Sequence, residues 1–196
     1  LPKTILVNGF LSLNGQKISK SVGNIIRPSD WVAKFGADAV RYYLLRYTTA
    51  TEDSDISEEK LKIAYNADLA KGLGNLVARV LTLARKGEIA PRQNKNFAAV
   101  IKIAEKNIKK SIGEFKFNEA LSVLWQLMTL GDKYIDEKKP WALKPESKEF
   151  KEIIGSLLFL ISDIGALLLP FLPETSEKIF GQLKNRKISI LFPQLK

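Results

Sequence analysis

Lys17, Ser19, Lys20 and Ser21 crowd two ammonium groups and two hydroxyls into five residues, with Gly15 before them and Gly23-Asn24 after. Ammonium groups hold phosphate oxygens as point charges, and hydroxyls add neutral hydrogen-bond donors. On a loop that follows a strand, such a set can track charge developing on a pyrophosphate leaving group. Losing one preorganised donor to developing charge commonly costs about 10²–10³ in rate. Taken without context, the same pentapeptide is more often a solvated basic turn. A second constellation is Asn75 with Arg79, four residues apart and so on one face of a helix. An amide and a guanidinium can bond the Watson–Crick edges of splayed bases, and an indole such as Trp141 offers a stacking platform. Stacking of this kind is worth about 1–3 kcal/mol per base. From the residues alone, a solvated Arg79 and a Trp141 serving as a core plug beside Pro140 are the ordinary readings.

Composition narrows the chemistry further. The chain has 196 residues, with 31 Lys and Arg against 21 Asp and Glu, a formal charge of +10 that points to a polyanionic partner such as nucleic acid. Histidine and cysteine are both absent, which excludes a Ser-His-Asp triad, a cysteine nucleophile, an imidazole base, a Cys/His zinc site and a disulfide scaffold. A basic chain without cysteine or a signal peptide reads as cytoplasmic. The apolar run Ile153 to Leu172 has the length of a membrane span, but Ser156, Ser162, Asp163 and Pro170 interrupt it. A charge near a bilayer centre costs at least about 2.5 kcal/mol, so a central helix of a soluble bundle is the expectation.

The elements that must position these residues change character along the chain. Thr4 to Val7 is a short β-branched run, Asn8-Gly9 and Asn14-Gly15 are turn signals, and Phe10 to Leu13 alternates as a strand does. This opening predicts a strand or hairpin with few partners. A lone hairpin is marginal in water, so either it packs on a further domain or the chain begins part-way through one. From Pro28 onward the signals are helical: a short helix from Pro28-Ser29-Asp30 to Gly36, another from Ala37 to Tyr47, and a polar loop from Thr48 to Asp55. Ser57 opens a long helical stretch to about Gly87, with an interruption near Gly72-Leu73-Gly74. Further helices are predicted over 94–111, 118–136, 151–169 and 174–183, with Lys138 to Pro145 irregular between its two prolines. The tail from Ile188 to Pro193 reads as a short strand or an extended return. The expected fold is mainly α: an antiparallel helix bundle preceded by a short β/loop connector.

The segment Asn14-Gly15-Gln16-Lys17-Ile18-Ser19-Lys20-Ser21-Val22-Gly23-Asn24 resembles the K-M-S-K-S signature of class I aminoacyl-tRNA synthetases, with isoleucine in place of methionine. Phe35 to Leu45, Tyr65 to Ala70 with Gly74 to Val80, Lys139 to Leu143 and the closing Leu191-Phe192-Pro193 are similar, in order, to the methionyl branch of that class. The resemblance implies that the loop closes over ATP, taken with Mg²⁺, during amino-acid adenylation. Lys17, Ser19, Lys20 and Ser21 match its ATP-binding positions, with Lys17 and Lys20 as the catalytic lysines and Lys20 the foremost contact with the phosphates. It also implies that Asn75, Arg79 and Trp141 read the CAU anticodon of tRNA(Met). Residues 1–55 then form the end of a catalytic domain and 56–196 an anticodon-binding domain.

Two departures accompany the likeness. Asn8 stands where the branch commonly has histidine before Gly9-Phe10. The H-I-G-H element of the class cannot exist in a chain without histidine, so the nucleotide-binding half belongs to another part of the enzyme. The chain is expected to be a monomeric C-terminal part of a methionine–tRNA ligase, partnered by tRNA(Met) and the catalytic half and inactive alone. Alternatives are a part of a leucine- or cysteine-type synthetase, or a stand-alone tRNA-binding module. Lys102, Lys106, Lys109 and Lys110 form a basic stripe at helical spacing that is either a solvated face or a contact with RNA backbone. Trp125 and Trp31 are expected to pack rather than to function.

Overall fold

Asn14 and Gly15 both take positive φ, 51° and 75°, the pair of conformations that a two-residue type I′ hairpin turn requires. Accordingly β1 (Leu11–Leu13) turns back into β2 (Gln16–Lys17), with Leu13 opposite Gln16 and Ser12 opposite Lys17. The structure is a computed structural model. It describes residues 1–19, 21, 23–87 and 89–195. The hairpin is thus where the second turn signal places it, but residues 4–7 lie outside any strand, and Ile5 and Val7 stand 78% and 75% exposed.

A third strand, β3 (Ser54–Ile56), runs parallel to β1 on its other edge, giving the order β2-β1-β3. This corrects the expected loop over residues 48–55. Its Ser-Asp-Ile sequence lacks a strand's local signature, and only the long-range pairing with β1 makes it one. A parallel pair needs a crossover, and α1 (Pro28–Phe35) with α2 (Ala37–Tyr47) supplies it. Pro28 sits in the first turn of α1, and Gly36 separates the two helices.

The predicted long helix is continuous. Ser57 caps α3 (Glu58–Ala64), its hydroxyl accepting from the Lys60 N–H, while Glu58 and Glu59 place negative charge at the dipole's positive end. From Ala64 the backbone widens into a π-helical stretch, Tyr65–Gly74, and returns to α-geometry in α4 (Asn75–Ala84). The expected interruption at Gly72-Leu73-Gly74 is therefore a change of helical width. Gly74 itself keeps helical angles (φ −62°, ψ −43°), and Leu69, Leu73, Leu76 and Val80 stay buried along one side.

The remaining helices form over the predicted stretches, with α7 starting three residues earlier than expected. These are α5 (Lys95–Gly113), α6 (Phe117–Lys138), α7 (Lys148–Leu168) and α8 (Pro173–Asn185). The Asn94 and Ser147 side chains cap α5 and α7. Asp38 of α2, itself buried, accepts from both the N–H and the hydroxyl of Thr175 at 2.6 Å and so caps α8 from another helix. The central helix is α7, buried at Ile154, Leu157, Leu160, Ile161 and Leu168 and packed against α4, α5, α6 and α8. Among the described residues no helix is long and apolar enough to cross a membrane. One apolar cluster runs from Trp31 through all these helices to Phe192. Trp31 is buried in it, and Trp125 stacks on Tyr42 at 4.5 Å, so both indoles pack as expected. Among its described residues the tail makes no strand. Phe192 packs edge-on against Tyr65, and the Asn66 amide exchanges two hydrogen bonds with the backbone of Leu195.

Candidate nucleic-acid interface

The hairpin turn delivers Lys17 at the end of β2, and the loop leaves from there. Its base is closed by Asn24. The Asn24 carbonyl accepts from the Ser19 N–H at 2.9 Å, and its amide donates to the Lys17 carbonyl at 3.0 Å. The Gly23 N–H adds a bond to the Ser19 carbonyl, and the Ser19 and Ser21 hydroxyls meet at 2.8 Å. Lys17 and Ser21 are exposed and Ser19 is half-buried, so all three lie on one short, solvent-accessible loop. Lys20, the foremost phosphate contact expected from sequence, lies outside the described residues.

Two acidic residues around β3, Asp53 and Asp55, pin this segment in place through their side chains. The Phe10 N–H donates to Asp53 at 2.8 Å. Asp55 accepts from the Ser12 hydroxyl at 2.9 Å and the Gly15 N–H at 2.6 Å, and pairs with the Lys60 ammonium at 2.6 Å. These hydrogen bonds, Lys60 first, hold the Asp55 carboxyl down at about 2. The backbone carbonyl of Glu52 lies so close to Gly9 that a Cβ there would sit 2.1 Å from it.

Asn75 opens α4 with its side chain exposed, and Arg79 follows one turn later. Arg79 is not a solvated helix residue. Its side chain is two-thirds buried, and the guanidinium forks between Asp132 at 3.3 Å and Asp136 at 2.9 Å, both on α6. Burial is the main cause that lifts the Asp132 carboxyl above its usual range; the Arg79 charge opposes that rise and Asp136 adds to it. Arginine carries five N–H donors in a fixed fork, so two ion pairs aim the group while leaving donors for another acceptor.

Beyond Asp136, α6 ends at Lys138. Lys139 takes a left-handed conformation (φ 44°), which turns the chain sharply into a single 3₁₀ turn, Pro140–Ala142. Pro140 is buried, whereas the Trp141 indole stands 53% exposed. Trp141 follows Asp136 by five positions, so the ion pair that aims Arg79 and the turn that presents the indole lie at one end of α6. Asn75 and Arg79 are thus carried by α4 and Trp141 by the turn that follows α6, and none is lost to the core. The loop at Lys17 is remote from them: from Lys60 to Arg79 the helix climbs roughly 25–30 Å at 1.5 Å per residue.

Two features escaped the sequence reading. Asp132 and Asp136 orient Arg79, and their i, i+4 spacing is itself a signal, because like charges so placed repel unless a cation lies between them. Asn24 and Asp55 hold the loop. Asn24 was visible only as part of a turn, and Asp55 only as one acid of a polar run. The basic stripe on α5 is exposed throughout, with Lys109 paired to Glu105 and Lys110 near Glu114. No group of carboxylates able to hold a metal ion occurs among the described residues.

Residues 1–81 match the family described as tRNA synthetases class I (M), and residues 94–195 match the anticodon-binding domain of tRNA ligase. The chain is 38% identical to a methionine–tRNA ligase of Caldanaerobacter subterraneus over 93% of its own length and 30% of that protein's. To the methionine–tRNA ligase of Thermotoga maritima it is 35% identical, over 93% of the chain and 31% of the relative. Among solved structures, Mycobacterium tuberculosis methionyl-tRNA synthetase in complex with methionyl-adenylate superposes with a TM-score of 0.80 at 27% identity. That alignment covers 98% of this chain and 44% of the other. The chain thus spans about 30% of the length of the curated relatives it matches.

Proposed function

Since this chain belongs to the family of anticodon-binding domains of tRNA ligases, we propose that it works as the C-terminal part of a methionine–tRNA ligase. In the assembled enzyme, ATP and methionine give methionyl-adenylate and pyrophosphate, and the methionyl group then passes to tRNA(Met). The leader, residues 1–55, serves the first step and residues 56–196 the recognition that precedes the second. Lys17, Lys20, Ser19 and Ser21 bind the phosphates of ATP, Lys20 foremost, as its neighbours' hydroxyls and backbone hold the rim. Magnesium enters with the nucleotide. Methionine–tRNA ligases need the H-I-G-H element, so without histidine this part alone forms no adenylate. The working unit is a cytoplasmic monomer.

The observation that carries the reading is the geometry at the end of α6. A guanidinium aimed by two carboxylates and a half-exposed indole share one pole of the helical body, with the Asn75 amide one turn away on the same face of α4 as Arg79. Donors for base edges beside a stacking surface suit unstacked nucleotides of an anticodon loop. The net charge of +10 favours approach of the polyanion. The experiment is direct: a CAU anticodon stem-loop should bind tighter than one with altered bases. A leucine- or cysteine-type synthetase would bind both alike. In the full-length enzyme, Lys20→Ala should cut pyrophosphate exchange about 10²–10³-fold, and an undiminished rate would leave only a tRNA-binding module.

A further inference from the structure

Asp55 makes more polar contacts with distant parts of the chain than its exposed position on a three-residue strand needs. One carboxylate oxygen accepts from the Ser12 hydroxyl at 2.9 Å and from the Gly15 N–H at 2.6 Å, gripping the hairpin on the strand and at its tip. The other oxygen meets the Lys60 ammonium at 2.6 Å, and that ammonium also donates to the Asp55 carbonyl at 3.2 Å. Lys60 lies in the first turn of α3, at the foot of the continuous helix that later carries Asn75 and Arg79. The hairpin tip is two residues from Lys17, where the phosphate-gripping rim begins. The backbone of β1 and β3 pairs over only three residues, too few to fix the hairpin's pitch without side-chain help.

We infer that Asp55 is a positioning residue for adenylation: together with Lys60 it struts the hairpin against the foot of α3, and so fixes where Lys17 and Ser19 stand over the nucleotide. The inference rests on the reading of that loop as the ATP loop. Asp55 touches no substrate and acts only through the hairpin. Misplacing a reacting group by about 1 Å from afar can cost 10²-fold in rate. The effect falls on the adenylation step alone, because Asn75, Arg79 and Trp141 are held by α4 and α6 without help from the strut.

The test uses the full-length ligase and three readouts: pyrophosphate exchange with its kcat and its KM for ATP, affinity for the anticodon stem-loop, and melting temperature. Asp55→Ala should lower the exchange kcat about 10²-fold while stem-loop affinity and melting stay unchanged. Asp55→Asn keeps an acceptor for Ser12 and Gly15 but loses the ion pair, so it should fall between wild type and alanine. Lys60→Met should match Asp55→Asn, and the two together should be no worse than either, as expected for partners in one contact. An Asp55→Ala enzyme with normal exchange, beside a Lys20→Ala enzyme that has lost it, overturns the strut and leaves the loop reading intact. If Lys20→Ala is also harmless, the loop reading itself falls and the strut with it. If Asp55→Ala depresses exchange, stem-loop affinity and melting together, Asp55 is an ordinary structural residue and the assignment is wrong.

Discussion

In the helical body, Arg79 is aimed by two carboxylates above a continuous apolar core in which Leu121, Leu124, Leu157 and Leu160 are fully buried. In the leader, Lys17 ends β2 of a three-stranded sheet and Ser19 lies on the loop beyond it, while Ile5, Val7 and Phe10, which precede the sheet, are each at least three-quarters exposed. There the hairpin is held by Asp53 and Asp55, and the loop beyond it by the Asn24 amide. Packing is insensitive to single polar substitutions, whereas a few hydrogen bonds on a thin sheet are not. On the proposed function, a region reading RNA by fixed donors and a stacking surface gains from the first arrangement. A loop following a nucleotide through a reaction would be better served by the second, since few apolar contacts leave it at the low-stability end of the molecule.

The contrast is sharpest for apolar truncations. Leu157→Ala should destabilise the fold by about 2–5 kcal/mol through lost burial and the cavity left behind, whereas Ile5→Ala should stay within about 0.5 kcal/mol. Thermal melting of the two variants checks both, and equal losses would mean that the leader has a core of its own. A smaller effect is expected at the leader's tightest approach. Gly9→Ala would put a methyl group 2.1 Å from the Glu52 carbonyl, forcing the two segments apart at a cost of about 1–3 kcal/mol. Hydrogen exchange should then show faster opening of β1 and β3, with the amides of α6 and α7 unchanged.

A weaker effect should appear in alkali. Tyr42 and Tyr47 both donate to the Asp68 carboxylate, joining α2 to the π-helical stretch. Burial and that carboxylate push the Tyr47 hydroxyl up to about 12 and raise Tyr42 too. The unfolded chain loses these protons near pH 10 while the folded one keeps them, so stability is full below about 10 and falls as pH rises toward 12. Tyr47→Phe should flatten that decline in melting temperature, and a decline of the same slope would remove the cluster from the account.

Much of this arrangement is legible in the residues, and the part that is not shares a cause. Helices α5, α7 and α8 are legible from apolar residues at 3.6-residue spacing, although the expected start of α7 at Lys151 falls three residues inside the observed one, after the Ser147 cap. The Asn14-Gly15 turn is equally plain. Strand β3 is hidden because Ser54-Asp55-Ile56 becomes a strand only by pairing with residues about forty positions away. The π-helical width of residues 65–74 is hidden because Tyr65, Leu69 and Leu73 keep a spacing that an ordinary helix would also bury. The anticodon candidates were nameable by type, yet the two aspartates that orient Arg79 are fifty-odd residues from it in sequence. Local chemistry is written locally; the partners that aim it are supplied by the fold.

The most direct test is to titrate a CAU anticodon stem-loop into the wild-type chain and into Trp141→Ala, with Leu157 and the rest of the core untouched. Loss of one stacked base, worth about 1–3 kcal/mol, should weaken binding about 5- to 150-fold, with the preference for CAU over altered bases carried by Asn75 and Arg79. Equal affinity of the two proteins, or equal affinity of the wild type for CAU and altered loops, would contradict the assignment of this pole as the anticodon reader.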